Sequence, residues 1–139
     1  MVSRKHGWMA IAALTVAAVS SQLTPAAAQP PPLHNITYLA RVDGVAPNAQ
    51  AMFVINDNEV SSASLGSVPG TTFEANAVLS DPNRAGMQVS IAWPYSAKVH
   101  CEIDVDGNVA TQVDQLVKPT MNSTDPMNGV LACGAPIPT

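Results

Sequence analysis

The stretch KVHCEIDVDGNVATQV, residues 98–113, carries the clearest fold signal in the sequence. Apolar and polar side chains alternate through its first eight residues, with Cys101 and Ile103 on the apolar face, as in a strand that buries one side. Asp106-Gly107 follows, a pair typical of a two-residue hairpin turn because both central residues of that turn need positive φ. The return strand is expected to place three side chains on one face: Val109, Thr111 and Val113.

The same alternation occurs in six further segments, which turn-forming residues separate from one another. We expect strands at residues 36–42, 50–55, 60–65, 73–79, 87–93 and 130–133. The fifth of these carries its apolar face as far as Trp93, which is therefore expected in the core. No segment sustains the helical spacing i, i+3, i+4, i+7. Short strands at near-regular spacing predict an all-β fold, an antiparallel, immunoglobulin-like β-sandwich over residues 35–135.

The N-terminus has the pattern of an export signal. Arg4 and Lys5 precede an apolar run at residues 8–19, and alanines at 26–28 supply the small side chains of a cleavage site. The run is shorter than the roughly 20 residues that span a bilayer. Residues 1–28 are therefore predicted to be a signal peptide, which places the protein in the secreted or cell-envelope fraction. The alternative is an uncleaved segment that stays in the membrane as an anchor.

Cleavage before Gln29 would change the charge of the chain. The full sequence has 139 residues, six Lys+Arg, ten Asp+Glu and a formal charge of −4. Without Arg4 and Lys5, four strong bases face ten acids and the net charge is −6. The acidic charge and the aromatic content of 4% argue against a nucleic-acid-binding function, which relies on basic residues that contact the phosphates. Residues 29–34, which include three consecutive prolines, are expected to form an extended leader.

The two cysteines are predicted to form a disulfide. Cys101 lies on an inward face and Cys133 lies in the last predicted strand, and an exported location permits oxidation. The bridge would close a loop of about 30 residues and so constrain the unfolded chain by about 3–4 kcal/mol. Metal binding by the two thiolates is the less favoured alternative.

The sequence offers no recognisable catalytic set. His100 lies on the polar face of its strand and is expected to be solvated, while His34 falls in the leader, so the two make a poor acid–base pair. Residues 66–70 lack the spacing of a nucleophile elbow, and the disulfide removes both thiols. We therefore expect no enzyme, no catalytic residues and no cofactor. A hydrolase that uses His100 is the alternative.

The acidic residues after His100 raise the question of calcium. An EF-hand loop needs Gly at its sixth position, whereas the run that begins at Asp104 has Gly at the fourth. A hairpin turn already explains Asp106-Gly107. No metal site is predicted, and weak calcium binding, by Glu102 and Asp104 or by residues 56–59, is the alternative.

A candidate binding surface comes from apolar residues in predicted loops. Tyr95 follows Pro94, which ends the fifth strand, and is expected to rim an apolar cleft or an interface. Met121 and Met127 lie in a long loop rich in Pro, Asn and Ser. That loop is expected to be loosely ordered, and the alternative is a movable lid or a contact patch.

Residues 101–109 (CEIDVDGNV) resemble the exported domain of the mycobacterial membrane protein small (MmpS) family, which carries a C-x-I-x-V-D-G-x-V stretch. A second Cys near the C-terminus of that family is matched by Cys133, and its opening strands are similar to residues 38–57 here. The resemblance implies a disulfide-bonded β-sandwich outside the membrane that assists large lipid or siderophore exporters. That family keeps an uncleaved transmembrane helix, whereas a cleavable signal is predicted for this chain.

These observations predict a secreted or cell-envelope-associated, non-enzymatic binding or adaptor protein of a mycobacterial-type bacterium. The resemblance adds a role as an accessory in lipid or siderophore export. The alternative is a carrier of a small apolar ligand in the envelope. The expected partner is an envelope protein, an exporter or a lipid-like ligand. Nucleic acid is not expected, and membrane contact is expected only if the signal peptide is uncleaved.

Overall fold

The computed structural model describes residues 29–66 and 68–138, so the predicted signal peptide at 1–28 lies outside the described residues. The described part contains eight strands, with bounds as follows: β1 His34–Asp43, β2 Gln50–Asn56, β3 Glu59–Ser64, β4 Thr72–Leu79, β5 Gly86–Ser90, β6 Ala97–Val105, β7 Asn108–Val117 and β8 Val130–Gly134. A short 3₁₀ turn, Pro82–Arg84, precedes β5. Within this part of the chain, no helix has the length and apolar character needed to cross a bilayer.

The strands form two antiparallel sheets of four, in the orders β4-β1-β6-β7 and β3-β2-β5-β8. Side chains of the inner faces pack together as one core between the sheets. The predicted all-β fold, an antiparallel β-sandwich with one disulfide, is confirmed. β1 begins at His34, the residue that the sequence places at the end of the leader.

The hairpin at the centre of the prediction forms between β6 and β7. Asp106 and Gly107 have φ values of 51° and 83°, the positive pair that the turn requires. The Asp106 carboxylate bonds to Nδ1 of His34 at 2.7 Å and accepts from the backbone N–H of Asn35 at 2.9 Å. These hydrogen bonds hold the pKa of Asp106 below its ordinary value. The turn therefore anchors the start of β1.

One face of the return strand differs from the prediction. The pairing of β6 with β7 shifts register between Ile103 and Asp104, so Thr111 lies opposite Ile103 while Val109 lies opposite Asp104. The extra residue, Ala110, is a bulge that moves Val109 to the outer face, where it is exposed. A bulge inserts one extra residue and so reverses which side chains face inward beyond it. Alternation in the sequence does not show where such a residue is inserted.

Three aromatic residues, from β1, β2 and β4, pack together in the core. Tyr38 of β1 and Phe53 of β2 have ring centroids 5.4 Å apart, and Phe53 lies 5.8 Å from Phe73 of β4. The buried Tyr38 hydroxyl donates to the backbone carbonyl of Val54 at 2.7 Å, which links one sheet to the other. Burial raises the pKa of Tyr38 to about 12.

The prediction that Trp93 lies in the core is wrong, because its side chain is 54% exposed. β5 ends at Ser90, three residues earlier than expected. The chain then turns, with the backbone N–H of Tyr95 donating to the carbonyl of Ala92 at 3.0 Å. Once the strand has ended, alternation no longer determines which side chain points inward.

The predicted disulfide joins Cys101 of β6 to Cys133 of β8, with their Cα atoms 6.3 Å apart. β6 and β8 belong to different sheets, so the bond crosses the core. Both cysteines are buried. Among the described strands β8 pairs only with β5, so the disulfide adds a covalent link to the opposite sheet.

Replacing both cysteines, Cys101→Ala with Cys133→Ala, is expected to lower the free energy of unfolding by about 3–4 kcal/mol. The unfolded chain would regain the freedom of a loop whose ends are 32 residues apart in sequence. Urea denaturation measures the change. Reduction of the wild-type disulfide should produce a similar loss, and a loss below about 1 kcal/mol in both experiments would contradict the prediction.

Tyr38→Phe should lower the free energy of unfolding by about 1–2 kcal/mol, because the Val54 carbonyl loses its buried donor. The wild type should also lose stability as the pH rises from 10.0 towards about 12. In that window the unfolded state releases the phenolic proton while the folded state retains it. Urea denaturation across this pH range tests both effects, and Tyr38→Phe should show a smaller decline. An equal decline in the variant would exclude Tyr38 as the cause.

Candidate functional site

Five connections of the sandwich are longer than two residues, and four of them lie at one end, here called the loop end; the fifth, residues 80–85 with the 3₁₀ turn, lies at the opposite end. The four are residues 44–49, 65–71, 91–96 and 118–129, of which residue 67 is not described. Strand register places them together, since Asp43 pairs with Lys98, Gln50 with Ser90 and Ala97 with Val117. The opposite end holds the tight turns after β2 and β6, and also the start of β1. It is called the leader end.

The loop end carries most of the exposed apolar side chains. Of the eleven large apolar side chains exposed in the described part of the chain, seven belong to it: Val45, Val68, Trp93, Tyr95, Leu116, Met121 and Met127. Six lie in the loops, and Leu116 is next to the last residue of β7. Exposed apolar groups gathered on one surface are typical of a binding site, whereas scattered ones need no explanation.

The sequence places Tyr95, Met121 and Met127 on the candidate binding surface, and all three are exposed at the loop end. It misses Trp93 because the apolar alternation of β5 continues past the end of the strand. Pro94 is the available signal, since a proline inside a strand pattern marks the end of that strand. Nothing in the sequence marks Val45 or Leu116 as part of this surface. The loop that carries Val45 and the strand that carries Leu116 come close to the other loops only in the folded chain.

The long loop from β7 to β8 contains several internal hydrogen bonds, whereas the sequence predicts a loosely ordered loop. The Asn128 side-chain amide donates to the carbonyl of Thr120 at 2.9 Å, and its oxygen accepts from the backbone N–H of Thr120 at 2.9 Å. The Asp125 carboxylate accepts from the backbone N–H of Met127 at 2.9 Å. These bonds close the two ends of the loop against each other and form a turn at residues 125–127, while Met121 and Met127 are exposed.

Gly129 joins this loop to the turn that carries Trp93 and Tyr95. The carbonyl of Gly129 accepts from the backbone N–H of Ile91 at 2.8 Å. A Cβ at Gly129 would lie 2.5 Å from the Ile91 carbonyl oxygen and 2.9 Å from the Pro119 side chain. The φ of +72° favours glycine, and the neighbouring atoms leave no space for a Cβ, so both the backbone conformation and the packing require glycine at this position.

Charge at the loop end is sparse and mostly basic. Only two acids lie there, and both are engaged, Asp125 within its loop and Asp43 in an ion pair with Arg41 at 3.2 Å. Lys98 and Lys118 are exposed, and neither forms an ion pair with another described residue. A groove of about 280 Å³ between the end of β7 and the start of β8 is lined in part by Leu116, Lys118 and Met127.

His100 differs from the solvated histidine that the sequence predicts. Its side chain is only 15% exposed, and it lies between two carboxylates on the outer face of its sheet. Nδ1 is 2.8 Å from Asp114, and Nε2 is 3.2 Å from Glu102. Both ring nitrogens are therefore engaged, and the histidine links β6 to β7. This arrangement leaves no ring nitrogen open to a substrate, whereas a general base needs one.

Asp104 continues this acidic cluster along β6. Burial, a hydrogen bond with Glu102 and the negative charges of Glu102 and Glu74 raise the pKa of its carboxyl. Glu102 and Asp104 share a face, as the calcium alternative requires. Among residues 29–66 and 68–138, however, no group of three or more His, Cys, Asp or Glu side chains is placed to hold a metal ion.

A second concavity lies at the leader end. This cleft of about 430 Å³ opens beside the 3₁₀ turn, between the bulge of β7 and the end of β8. Ile103, Val105 and Ala110 provide apolar lining. It is distant from the candidate surface residues, which lie in the loops of the other end.

Comparison with known proteins adds no relative: no protein-family model matches the chain, and no curated protein or solved structure matches it.

Gly129→Ala should destabilise the protein more than Gly70→Ala. Gly70 has φ +79°, and a Cβ at this position would meet nothing within 4 Å, so its substitution costs only the left-handed conformation, about 1–2 kcal/mol. Gly129 has a similar φ, but a Cβ there would also meet Ile91 and Pro119, so we expect a further loss of about 2 kcal/mol. Urea denaturation of both variants measures the difference. Equal losses would show that the two loops are not held together at this glycine.

Proposed function

We propose that this chain is an exported, non-enzymatic binding or adaptor protein of the cell envelope, and that the loop end is its binding surface. The observation that carries the proposal is the gathering of seven exposed apolar side chains on that end. The loop from β7 to β8 has internal hydrogen bonds and is joined at Gly129 to the turn that carries Trp93 and Tyr95, so this part of the surface is preformed. A preformed surface loses little conformational entropy when it binds.

The disulfide and the predicted signal peptide support an exported location, because disulfides form and persist outside the cytoplasm. The similarity of residues 101–109 to the MmpS family supports a more specific role, as an accessory in lipid or siderophore export. In that role the loop end would contact the exporter or its cargo.

The loop-end triple variant, Tyr95→Ser, Met121→Ser and Met127→Ser, tests the proposal. Wild-type protein made in its host should sediment with the cell envelope, and the triple variant should move to the soluble fraction. The three side chains are already exposed, so their replacement removes contacts to a partner and leaves the core intact. Quantitative immunoblotting of the two fractions measures the distribution.

The matched control is Met52→Ser with Val78→Ser, which removes exposed apolar side chains from strands outside the loop end. Its distribution should equal that of the wild type. If the triple variant sediments with the envelope as well as the wild type does, the loop end is not the binding surface.

A second candidate function, a carrier of a small apolar ligand, is favoured by the cleft at the leader end. Its volume of about 430 Å³ lies within the range of small-molecule sites. Native mass spectrometry of protein purified from its host distinguishes the two functions. A bound ligand that Ala110→Trp removes would favour the carrier, whereas the unliganded mass alone would favour the loop-end surface.

A further inference from the structure

The charges of the molecule are distributed unevenly between its two ends. Of the ten acids, five lie at or near the leader end, three lie along the strands and two lie at the loop end; the five are Asp57, Glu59, Asp81, Asp104 and Asp106, the three are Glu74, Glu102 and Asp114, and the two are Asp43 and Asp125. The loop end has Lys98 and Lys118 with no ionic partner among the described residues, while Asp43 is paired with Arg41. The full chain has a formal net charge of −4, or −6 without Arg4 and Lys5, yet at this end the two lysines outnumber the one remaining acid, Asp125, and leave the end weakly basic.

The side chains on this basic end are of the kinds that enter a lipid–water interface. Trp and Tyr are enriched at that boundary because each combines an apolar ring with a polar group. Trp93 and Tyr95 are exposed on one turn, and Met121 and Met127 are exposed on the neighbouring loop. Apart from Lys118 and Asp125, the four loops contain no charged residue, so their burial among head groups costs little desolvation.

From this combination of charge and apolar surface we infer that the loop end docks on an anionic lipid bilayer. Trp93, Tyr95, Met121 and Met127 enter the interface, and Lys98 and Lys118 contact the acidic head groups. The five acids at or near the leader end then face away from the negative surface. The inference rests on the proposed binding role of the loop end and names its partner. It adds a membrane contact that does not depend on a retained signal peptide.

The direction of β1 sets the orientation of the docked protein. β1 begins at the leader end and has ten residues, so it extends about 33 Å towards the loop end at 3.3 Å per residue. A chain held to a bilayer through its short leader would keep the loop end away from that same bilayer. Docking therefore applies to the processed chain that begins at Gln29.

Binding to lipid vesicles tests the inference, and the fluorescence of Trp93 reports the binding. In the processed chain Trp93 is the only tryptophan, since the other, Trp8, lies in the predicted signal peptide. Vesicles of phosphatidylglycerol and phosphatidylcholine in equal parts should shift the Trp93 emission to the blue and bind the protein. The loop-end triple variant keeps Trp93 and should bind at least about tenfold more weakly, because its apolar contacts are lost.

The lysines provide an independent test. Lys98→Gln with Lys118→Gln should weaken binding to the mixed vesicles by about thirtyfold, or roughly fivefold for each lysine. Binding to phosphatidylcholine alone should be unchanged, and salt should weaken only the lysine-dependent part. Arg84→Gln, at the leader end, is the matched charge control and should bind no more weakly than the wild type.

Three results would overturn the inference, and they have different consequences for the proposed function. If the wild type ignores anionic vesicles but still sediments with the envelope through Tyr95, Met121 and Met127, the partner is a protein and the proposed function stands. If neither vesicles nor envelope retain the protein, both proposals fail. Vesicle binding that survives the triple and the lysine substitutions also excludes the loop end as the docking surface.

Discussion

The Cys101–Cys133 disulfide joins strands that belong to different sheets, and the position of the loop end depends on it. β8 is an edge strand of five residues that pairs only with β5. A strand so short has few hydrogen bonds of its own, and the buried bond to β6 holds it against the core. Because residues 118–129 run from β7 to β8, fixing β8 also fixes the far end of that loop. The hydrogen bond from the Ile91 N–H to the Gly129 carbonyl then fixes the turn at residues 91–96 against this loop.

The core supplies a second link between the sheets, at the hydroxyl of Tyr38. Its hydrogen bond to the Val54 carbonyl satisfies a polar group that would otherwise be costly to bury. The rings of Tyr38, Phe53 and Phe73 fill the space around it. With the interior occupied in this way, the concavities suited to a partner lie at the ends of the sandwich. The two candidate functions correspond to those two ends.

Polar side chains on the outer faces of the sandwich also stabilise the fold, because they link neighbouring strands. His100 lies between Asp114 and Glu102 and links β6 to β7, which is one of the two edge strands of its sheet. Asp106 plays a similar part at the leader end, where it holds the start of β1. Histidine and carboxylates so engaged are explained by strand pairing. The apolar residues of the loop end have no comparable role inside the fold, so they are the residues assigned to a partner.

The strands, the hairpin at Asp106-Gly107 and the pairing of the two cysteines follow from the sequence alone, because alternation and turn chemistry act between near neighbours. The sequence also selects Tyr95, Met121 and Met127 as exposed loop residues. Pro94 marks the turn that exposes Trp93, whereas two features arise only in the folded chain: the contact of His100 with Asp114, and the meeting of four loops at one end. Each of these depends on contacts between residues far apart in the chain. Such contacts form when the two sheets pack, and no local pattern records them.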